Sequence, residues 1–95
     1  MLSINKANYS GNYNIYIIFN NGKEGTVNLE KTILEDERAI FSKLKIESNF
    51  KKFRVENNTV VWSNGLDLAP EYLYYIAFKE DTELQDQFKS WGYIV

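Results

Sequence analysis

The residues best suited to chemistry lie in one short stretch, from Trp62 to Tyr74. Asn64-Gly65 predicts a turn, because glycine accepts a positive φ angle without Cβ strain, and Asp67 follows as a carboxylate beside that turn. This carboxylate could face a ligand, or it could accept backbone N–H groups of the turn or of the helix that follows. The second interpretation is favoured, because short polar side chains commonly do this at such junctions.

The chain offers few groups for catalysis. It contains no histidine and no cysteine, which removes the commonest general base, the thiolate nucleophile and two common metal ligands. The acidic pairs Asp36/Glu37 and Glu80/Asp81 are adjacent in sequence, and adjacent residues on a helix point apart rather than toward a shared substrate. We therefore expect a protein that is not an enzyme, with no cofactor and no metal ligands.

A second candidate site is the basic segment 43–54. Its net charge is +4, from five basic residues against Glu47: Lys43, Lys45, Lys51, Lys52 and Arg54. With Phe50 and Phe53 interleaved, this segment could contact phosphates. The alternative is a solvated loop whose phenyl rings anchor it to the core, and we favour it because one short patch on a chain of net charge −2 is a weak nucleic-acid footprint.

Residues 67–86 carry the opposite charge, a net of −5 from six acidic residues against Lys79. The two charged segments could attract each other between copies of the chain, or each could attract a partner protein. The candidate binding residues are therefore Asn64, Asp67, Lys51, Lys52 and Arg54.

Length and composition predict one domain over residues 1–95. A hydrophobic content of 44% with 16% aromatic residues is typical of a folded chain. No segment resembles an export signal, and no apolar run is long enough to cross a bilayer. We expect a cytoplasmic protein with no membrane association. No internal repeat is evident.

Two β-hairpins are predicted. Residues 13–19 are apolar on both alternating faces, which indicates a buried strand, and Asn21-Gly22 favours a two-residue turn that would place Phe19 opposite Glu24. Asn57-Asn58 predicts a second two-residue turn, between strands near 53–56 and 59–62. Its register would bring four side chains onto one buried face: Phe53, Val55, Val60 and Trp62.

The remaining segments favour helices. Residues 30–46 predict a short turn of helix, a break, and a helix near 37–44. The segment 72–78 is apolar on all sides, so its periodicity leaves helix and strand open, and Pro70 followed by Glu71 favours helix.

The C-terminal tail predicts a further helix. Thr82 fits a capping box, Leu84, Phe88 and Trp91 share a helical face, and Gly92 can end the helix. Residues 93–95 could add a short strand. This apolar tail must pack on its own sheet or on a second copy, and a homodimer through the tail is the interpretation we favour.

The block Trp62-x-Asn64-Gly65-x-Asp67, followed by Pro70-Glu71-x-Leu73-Tyr74, resembles the signature of Domain of Unknown Function 2442, a family of small bacterial proteins. The resemblance covers a core of roughly residues 8–75, and it does not reach residues 76–95, the C-terminal helix and tail. Two positions depart from the family pattern. Asn28 stands where relatives usually carry Asp, and Ala69 stands where they often carry Asp or Ser as a helix cap.

The sequence thus predicts an α+β fold, with an antiparallel sheet of two β-hairpins and two to three helices packed on one face. The expected function is a non-catalytic interaction or regulatory module with a protein partner or a second copy. The resemblance implies that some relatives are fused to helix-turn-helix domains and that others accompany small proteins in arrangements typical of toxin–antitoxin pairs. The alternative is a nucleic-acid-binding protein that uses the basic segment 43–54.

Overall fold

The computed structural model describes residues 1–95 and contains two three-stranded antiparallel sheets. The strands are β1 Ile4–Gly11, β2 Asn14–Phe19, β3 Glu24–Asn28, β4 Arg54–Glu56, β5 Thr59–Val61 and β6 Asp67–Leu68. The α-helices are α1 Glu30–Leu34, α2 Ala39–Ser42, α3 Glu47–Phe50, α4 Pro70–Phe78 and α5 Gln85–Trp91, and 3₁₀ turns span Lys43–Lys45 and Thr82–Leu84. The predicted α+β class is confirmed, but the single sheet is wrong, and the helices are not confined to one face.

Both sheets follow the same plan, a repeat that the sequence did not reveal. Each begins with a hairpin whose two turn residues have positive φ angles, Asn12-Tyr13 in the first sheet and Asn57-Asn58 in the second. Each continues through a three-residue turn that ends in a positive-φ glycine, and each then leads into a helix. The copies also share an Asn-Gly pair in the second turn, where the Asn21 and Asn64 side-chain oxygens accept the Lys23 and Leu66 N–H groups. Their strands differ in length, so sequence comparison alone misses the repeat.

The register of the β2–β3 hairpin differs by one residue from the prediction. Ile18, not Phe19, pairs with Glu24, because the loop holds three residues rather than two. The Gly22 N–H donates to the Phe19 carbonyl (3.1 Å), and Gly22 has a φ of 87°. A three-residue loop that ends in a left-handed glycine is a common alternative to the two-residue turn that Asn-Gly also favours.

The β4–β5 register is confirmed, with Val55 opposite Val60 and Glu56 opposite Thr59. The predicted buried face is only partly correct. Val60 and Trp62 are buried and Phe53 is partly buried, but Val55 is 38% exposed. Val55 lies on β4, an edge strand of three residues with every side chain exposed.

Strand β1 was not predicted. Its sequence is mostly polar, with Ile4 buried, Ala7 and Tyr9 packed partly against the core, and the other side chains exposed or partly buried. It forms because its backbone pairs with β2, a contribution that hydrophobic periodicity does not report.

The helices follow the predicted order with shorter lengths. A break at residues 35–38 separates α1 from α2, and the helix expected near 37–44 is α2 followed by the 3₁₀ turn. Helix α3 was not predicted, because four residues are too few to produce a periodic pattern. The apolar segment after Pro70 is helical, as α4, with Pro70 in its first turn.

A single cluster of buried side chains joins both sheets to the helices. Its largest fully buried members are Phe19, Phe50, Phe88, Ile15, Ile17, Leu29, Ile33 and Leu73. The alternating residues Ile15, Ile17 and Phe19 come from β2, the central strand of the first sheet.

The C-terminal tail packs within its own chain. Phe88 is fully buried, Leu84 and Trp91 lie against the core, and the Tyr93 ring stacks on Tyr75 with ring centroids 5.1 Å apart. The pKa of the Tyr93 hydroxyl is raised, chiefly by burial. Gly92 ends α5 with a φ of 88°, as predicted.

Two details of the tail differ from the prediction. Asp81 rather than Thr82 caps the 3₁₀ turn, by accepting the Glu83 N–H at 2.9 Å. Residues 93–95 form no strand.

Candidate ligand-binding site

Trp62 forms the buried centre of the candidate site. Its indole N–H donates to the carbonyl of Phe50 at 2.7 Å, and its ring packs on those of Phe50 and Phe53 at 5.6 and 6.3 Å. Only 3% of Trp62 is exposed, so the residue belongs to the core rather than to a recognition surface. These contacts fix α3 beside the β5–β6 turn.

The β5–β6 turn is locked by Asn64. The Asn64 side-chain oxygen accepts the Leu66 N–H at 3.1 Å, and its amide donates to the Ile40 carbonyl at 2.8 Å. Gly65 completes the turn with a φ of 94°, and its N–H donates to the Trp62 carbonyl. Asn64 therefore ties the second sheet to helix α2, and its side chain already has a structural role.

A concave site of about 240 Å³ lies beside this turn, and we call it the basic pocket. It is lined by Lys43, Leu44, Asn49, Lys52, Trp62, Ser63 and Asn64. Lys43 begins the 3₁₀ turn, Lys52 follows α3, and Ser63 and Asn64 belong to the β5–β6 turn. Packing thus brings predicted residues Lys52 and Asn64, far apart in sequence, to one small site.

The lysines of the segment 43–54 have no ion-pair partners. Arg54 is paired with Glu56 at 2.8 Å, and the one acidic residue of the segment, Glu47, accepts a hydrogen bond from the hydroxyl of Tyr9. Partial burial and this bond to Glu47 raise the pKa of Tyr9. None of the four lysines, Lys43, Lys45, Lys51 and Lys52, forms a salt bridge. The basic pocket therefore carries uncompensated positive charge.

Asp67 lies outside the basic pocket, and the prediction that it caps backbone N–H groups is wrong. It is exposed on β6 opposite Val61, and its carboxylate accepts no hydrogen bond. The N-cap residue of α4 is Ala69, two residues after Asp67, and no side chain caps the helix. Asp67 instead borders a shallow concavity of about 280 Å³ that also includes Arg54.

The five predicted binding residues thus separate into three places. Lys52 and Asn64 share the basic pocket, and Arg54 and Asp67 border the neighbouring concavity. Lys51 is exposed and lines neither. The sequence offered no signal for Asn49 or Ser63, which reach the basic pocket only because α3 packs against the β5–β6 turn.

A separate groove lies between α1 and α4. It measures about 480 Å³ and is bordered by Asp36, Arg38, Phe41 and Tyr72 among others. Arg38 pairs with Asp36 at 2.7 Å, and the hydrogen bonds from Arg38 lower the pKa of that carboxyl. The groove is also lined by Lys31 and Glu35, so its four charged residues balance, and it is a weaker candidate for a charged group than the basic pocket.

No group of three or more acidic side chains is arranged to hold a metal ion. None of the helices has the length and apolar character that crossing a membrane requires.

Comparison with known proteins gives a family. The model of the family described as "Protein of unknown function (DUF2442)" matches residues 4–79, and the chain therefore belongs to this family. No curated protein and no solved structure matches. The match includes both sheets, the basic pocket and α4, and it ends before α5.

Asn28 and Ala69, where the resemblance leads us to expect Asp or Ser, both have structural explanations. At the entry of α1, the Asn28 side-chain oxygen accepts the Glu30 N–H at 3.2 Å, as an Asp carboxylate could. At α4, Ala69 offers no capping group, and Pro70 in the first turn needs no N–H acceptor. Neither departure alters the basic pocket.

Proposed function

We propose that this chain is a non-catalytic interaction module of the cytoplasm, and that its partner inserts a negatively charged group into the basic pocket. The observation that carries the proposal is the pairing pattern of the segment 43–54. Its one arginine and its one acidic residue are engaged, while its lysines are free of ion pairs. Lys43 and Lys52 line one concave site with the hydroxyl of Ser63, and the Asn49 and Asn64 amides that border this site already donate to the Lys43 and Ile40 carbonyls.

An acidic segment of a partner protein suits this pocket. A volume of about 240 Å³ holds one carboxylate or phosphate-sized group with part of its attachment, rather than a length of nucleic-acid backbone. Ammonium groups at the rim would steer the partner and set the orientation in which it docks. A regulatory role within a toxin–antitoxin-type system is consistent with such a module.

Nucleic-acid binding is the second candidate. Adjacent exposed lysines at 51 and 52 favour it, because phosphate contacts supply most of non-specific affinity. The aromatic side chains weigh against it. Phe50 is fully buried and Phe53 packs against Trp62, so neither ring is available to stack on a base, as single-strand binding requires.

Capture of partners from a lysate of the native host tests the proposal. The wild type is compared with Lys43→Gln/Lys52→Gln and with a control, Lys6→Gln/Lys89→Gln, which loses the same charge from exposed lysines outside the pocket. We expect the wild type and the control to retain the same protein, and the pocket variant to lose it.

Nuclease treatment of the lysate separates the two candidates. Retention that survives the nuclease supports a protein partner, whereas retention that disappears with it supports nucleic acid. Equal retention by all three proteins would contradict a role for the basic pocket in either.

A further inference from the structure

Strand β3 is a regular, open sheet edge. The first sheet has the order β1–β2–β3, so β1 and β3 are its edges. The β1–β2 pairing is interrupted at two places, and the Ile4 N–H donates to the Asn58 carbonyl of the second sheet. Strand β3 pairs with β2 over residues 24–28 without a shift of register. Irregularity protects an edge from further pairing, and β3 has none, although side chains of α1 and α4 line a groove beside it.

The outward backbone groups of β3 follow from its hydrogen bonds. At one end the Phe19 N–H donates to the Lys23 carbonyl, and at the other the Leu29 N–H donates to the Tyr13 carbonyl, both at 2.9 Å. Because antiparallel residues alternate in the direction of their backbone groups, the odd-numbered residues face β2. The N–H and C=O groups of Glu24, Thr26 and Asn28 therefore face away from the sheet.

The space beside this edge is open. All three outward residues are exposed, and a groove of about 410 Å³ borders Thr26 and Asn28. The Thr26 side chain makes no hydrogen bond, α4 packs over β3 where Phe78 contacts Gly25, and Tyr72, Ile76 and Lys79 form the far side of the groove. A second strand can therefore approach without displacing a structural contact of Thr26.

We propose that two copies of this chain pair through β3, antiparallel about a two-fold axis at Thr26, to form one continuous sheet. In this register Thr26 faces Thr26 of the second copy, and Glu24 faces Asn28 of the second copy. Each facing pair exchanges two backbone hydrogen bonds, which gives roughly six across the interface.

The composition of the edge favours a second copy as the occupant. Glu24 is its only charged outward residue, and the two-fold register places it opposite an amide rather than a like charge. Threonine pairs are among the favourable cross-strand contacts, and a two-fold axis is the commonest symmetry of soluble oligomers. The proposal involves no residue of the basic pocket, so it does not rest on the proposed function.

Charge placed at the axis tests the pairing. Thr26→Lys sets two like charges opposite each other across the interface, and so does Thr26→Glu. We expect sedimentation equilibrium to give a dimer for the wild type and for the uncharged control Thr26→Val, and monomers for each charged variant alone. A mixture of the two charged variants should restore the dimer, because Lys then faces Glu.

A measurement on the wild type tests the pairing even if the charged variants misfold. Amide hydrogen exchange at residues 24, 26 and 28 should slow as protein concentration rises, since these groups have no acceptor within the chain. A wild type that stays monomeric at every concentration would overturn the proposal. So would a dimer that survives both charged substitutions, or exchange at these amides that is independent of concentration.

Discussion

Trp62 is the residue on which the second sheet most depends. It is buried against Phe50 and Phe53, and its indole N–H satisfies the Phe50 carbonyl. Trp62→Ala should lower the free energy of unfolding by about 3–5 kcal/mol, the range for deleting a large buried aromatic side chain. Urea denaturation followed by circular dichroism measures this.

Trp62→Phe is the matched control. It keeps an aromatic ring, so it should lower the free energy of unfolding by less than Trp62→Ala does. It also removes the indole donor and leaves the Phe50 carbonyl without its partner, so the loss should exceed that of a surface substitution. A loss below about 1 kcal/mol for Trp62→Ala, the level of an average substitution, would contradict the packing described here.

Asn64 and Asp67 are close in sequence and should respond differently to substitution. Asn64→Ala removes two hydrogen bonds that hold the β5–β6 turn, and it should cost about 1–3 kcal/mol. Asp67→Ala removes no hydrogen bond, and we expect a change within about 0.5 kcal/mol. Thermal or urea unfolding of the two variants compares them directly, and a larger loss at Asp67 would restore the capping role that the structure rejects.

The Asp36–Arg38 pair provides a pH-dependent contact. Hydrogen bonds from Arg38 lower the pKa of Asp36 in the folded chain, so the contact contributes to stability above the unfolded pKa of about 3.9. That contribution is lost as the pH falls through the lowered folded value.

Arg38→Gln should raise the pKa of Asp36 toward its ordinary value. The chemical shift of the Asp36 carboxyl carbon, followed by NMR through a pH titration, measures this pKa directly. Arg54→Gln is the control, because Arg54 pairs with Glu56 instead and should leave Asp36 unchanged. An unchanged pKa in Arg38→Gln would show that the two side chains do not interact in solution.

At the scale of elements, helix α5 and the tail complete the core although they lie beyond the residues that match the family. Phe88 packs against Tyr74 and Tyr75, and Tyr93 stacks on Tyr75. Deleting residues 82–95 should expose these rings and produce an aggregating protein, as light scattering would detect. Deleting Val95 alone, which is fully exposed, should have no effect, and a stable monodisperse truncation would contradict the docking of α5.

The turns explain which elements could be predicted from the sequence. Asn57-Asn58 admits one two-residue turn, and the register that it predicts is correct. Asn20-Asn21-Gly22 can form a two-residue or a three-residue loop. The two loops give β2–β3 registers that differ by one residue, and the structure has the register of the three-residue loop. Strand β1 depends on backbone pairing, which polar side chains do not reveal.

The candidate site was predictable only in part. Lys52 and Asn64 were identified separately, one from charge and one from turn chemistry. They line the same pocket because the Trp62 indole N–H donates a hydrogen bond to the Phe50 carbonyl. This is a tertiary contact, and it has no local sequence signal. For the same reason Asn49 and Ser63 were not identified.

At the scale of the whole molecule, the charged residues are concentrated in two segments of opposite sign rather than spread evenly along the chain. The net charge is −2, yet the segment 43–54 carries +4 and residues 67–86 carry −5. Lys43 and Lys52 of the positive segment line the basic pocket, and we therefore expect an anionic group to bind there with an affinity that falls as salt concentration rises.

The most direct test of this account is a titration of the isotope-labelled protein with inorganic phosphate, which stands in for the partner's anionic group. We predict saturable amide shifts at Asn49, Ser63 and Asn64, abolished in Lys43→Gln/Lys52→Gln and retained in Lys6→Gln/Lys89→Gln. Saturable shifts that persist in the pocket variant, or the absence of any at these three residues, would contradict the claim that the basic pocket binds the partner.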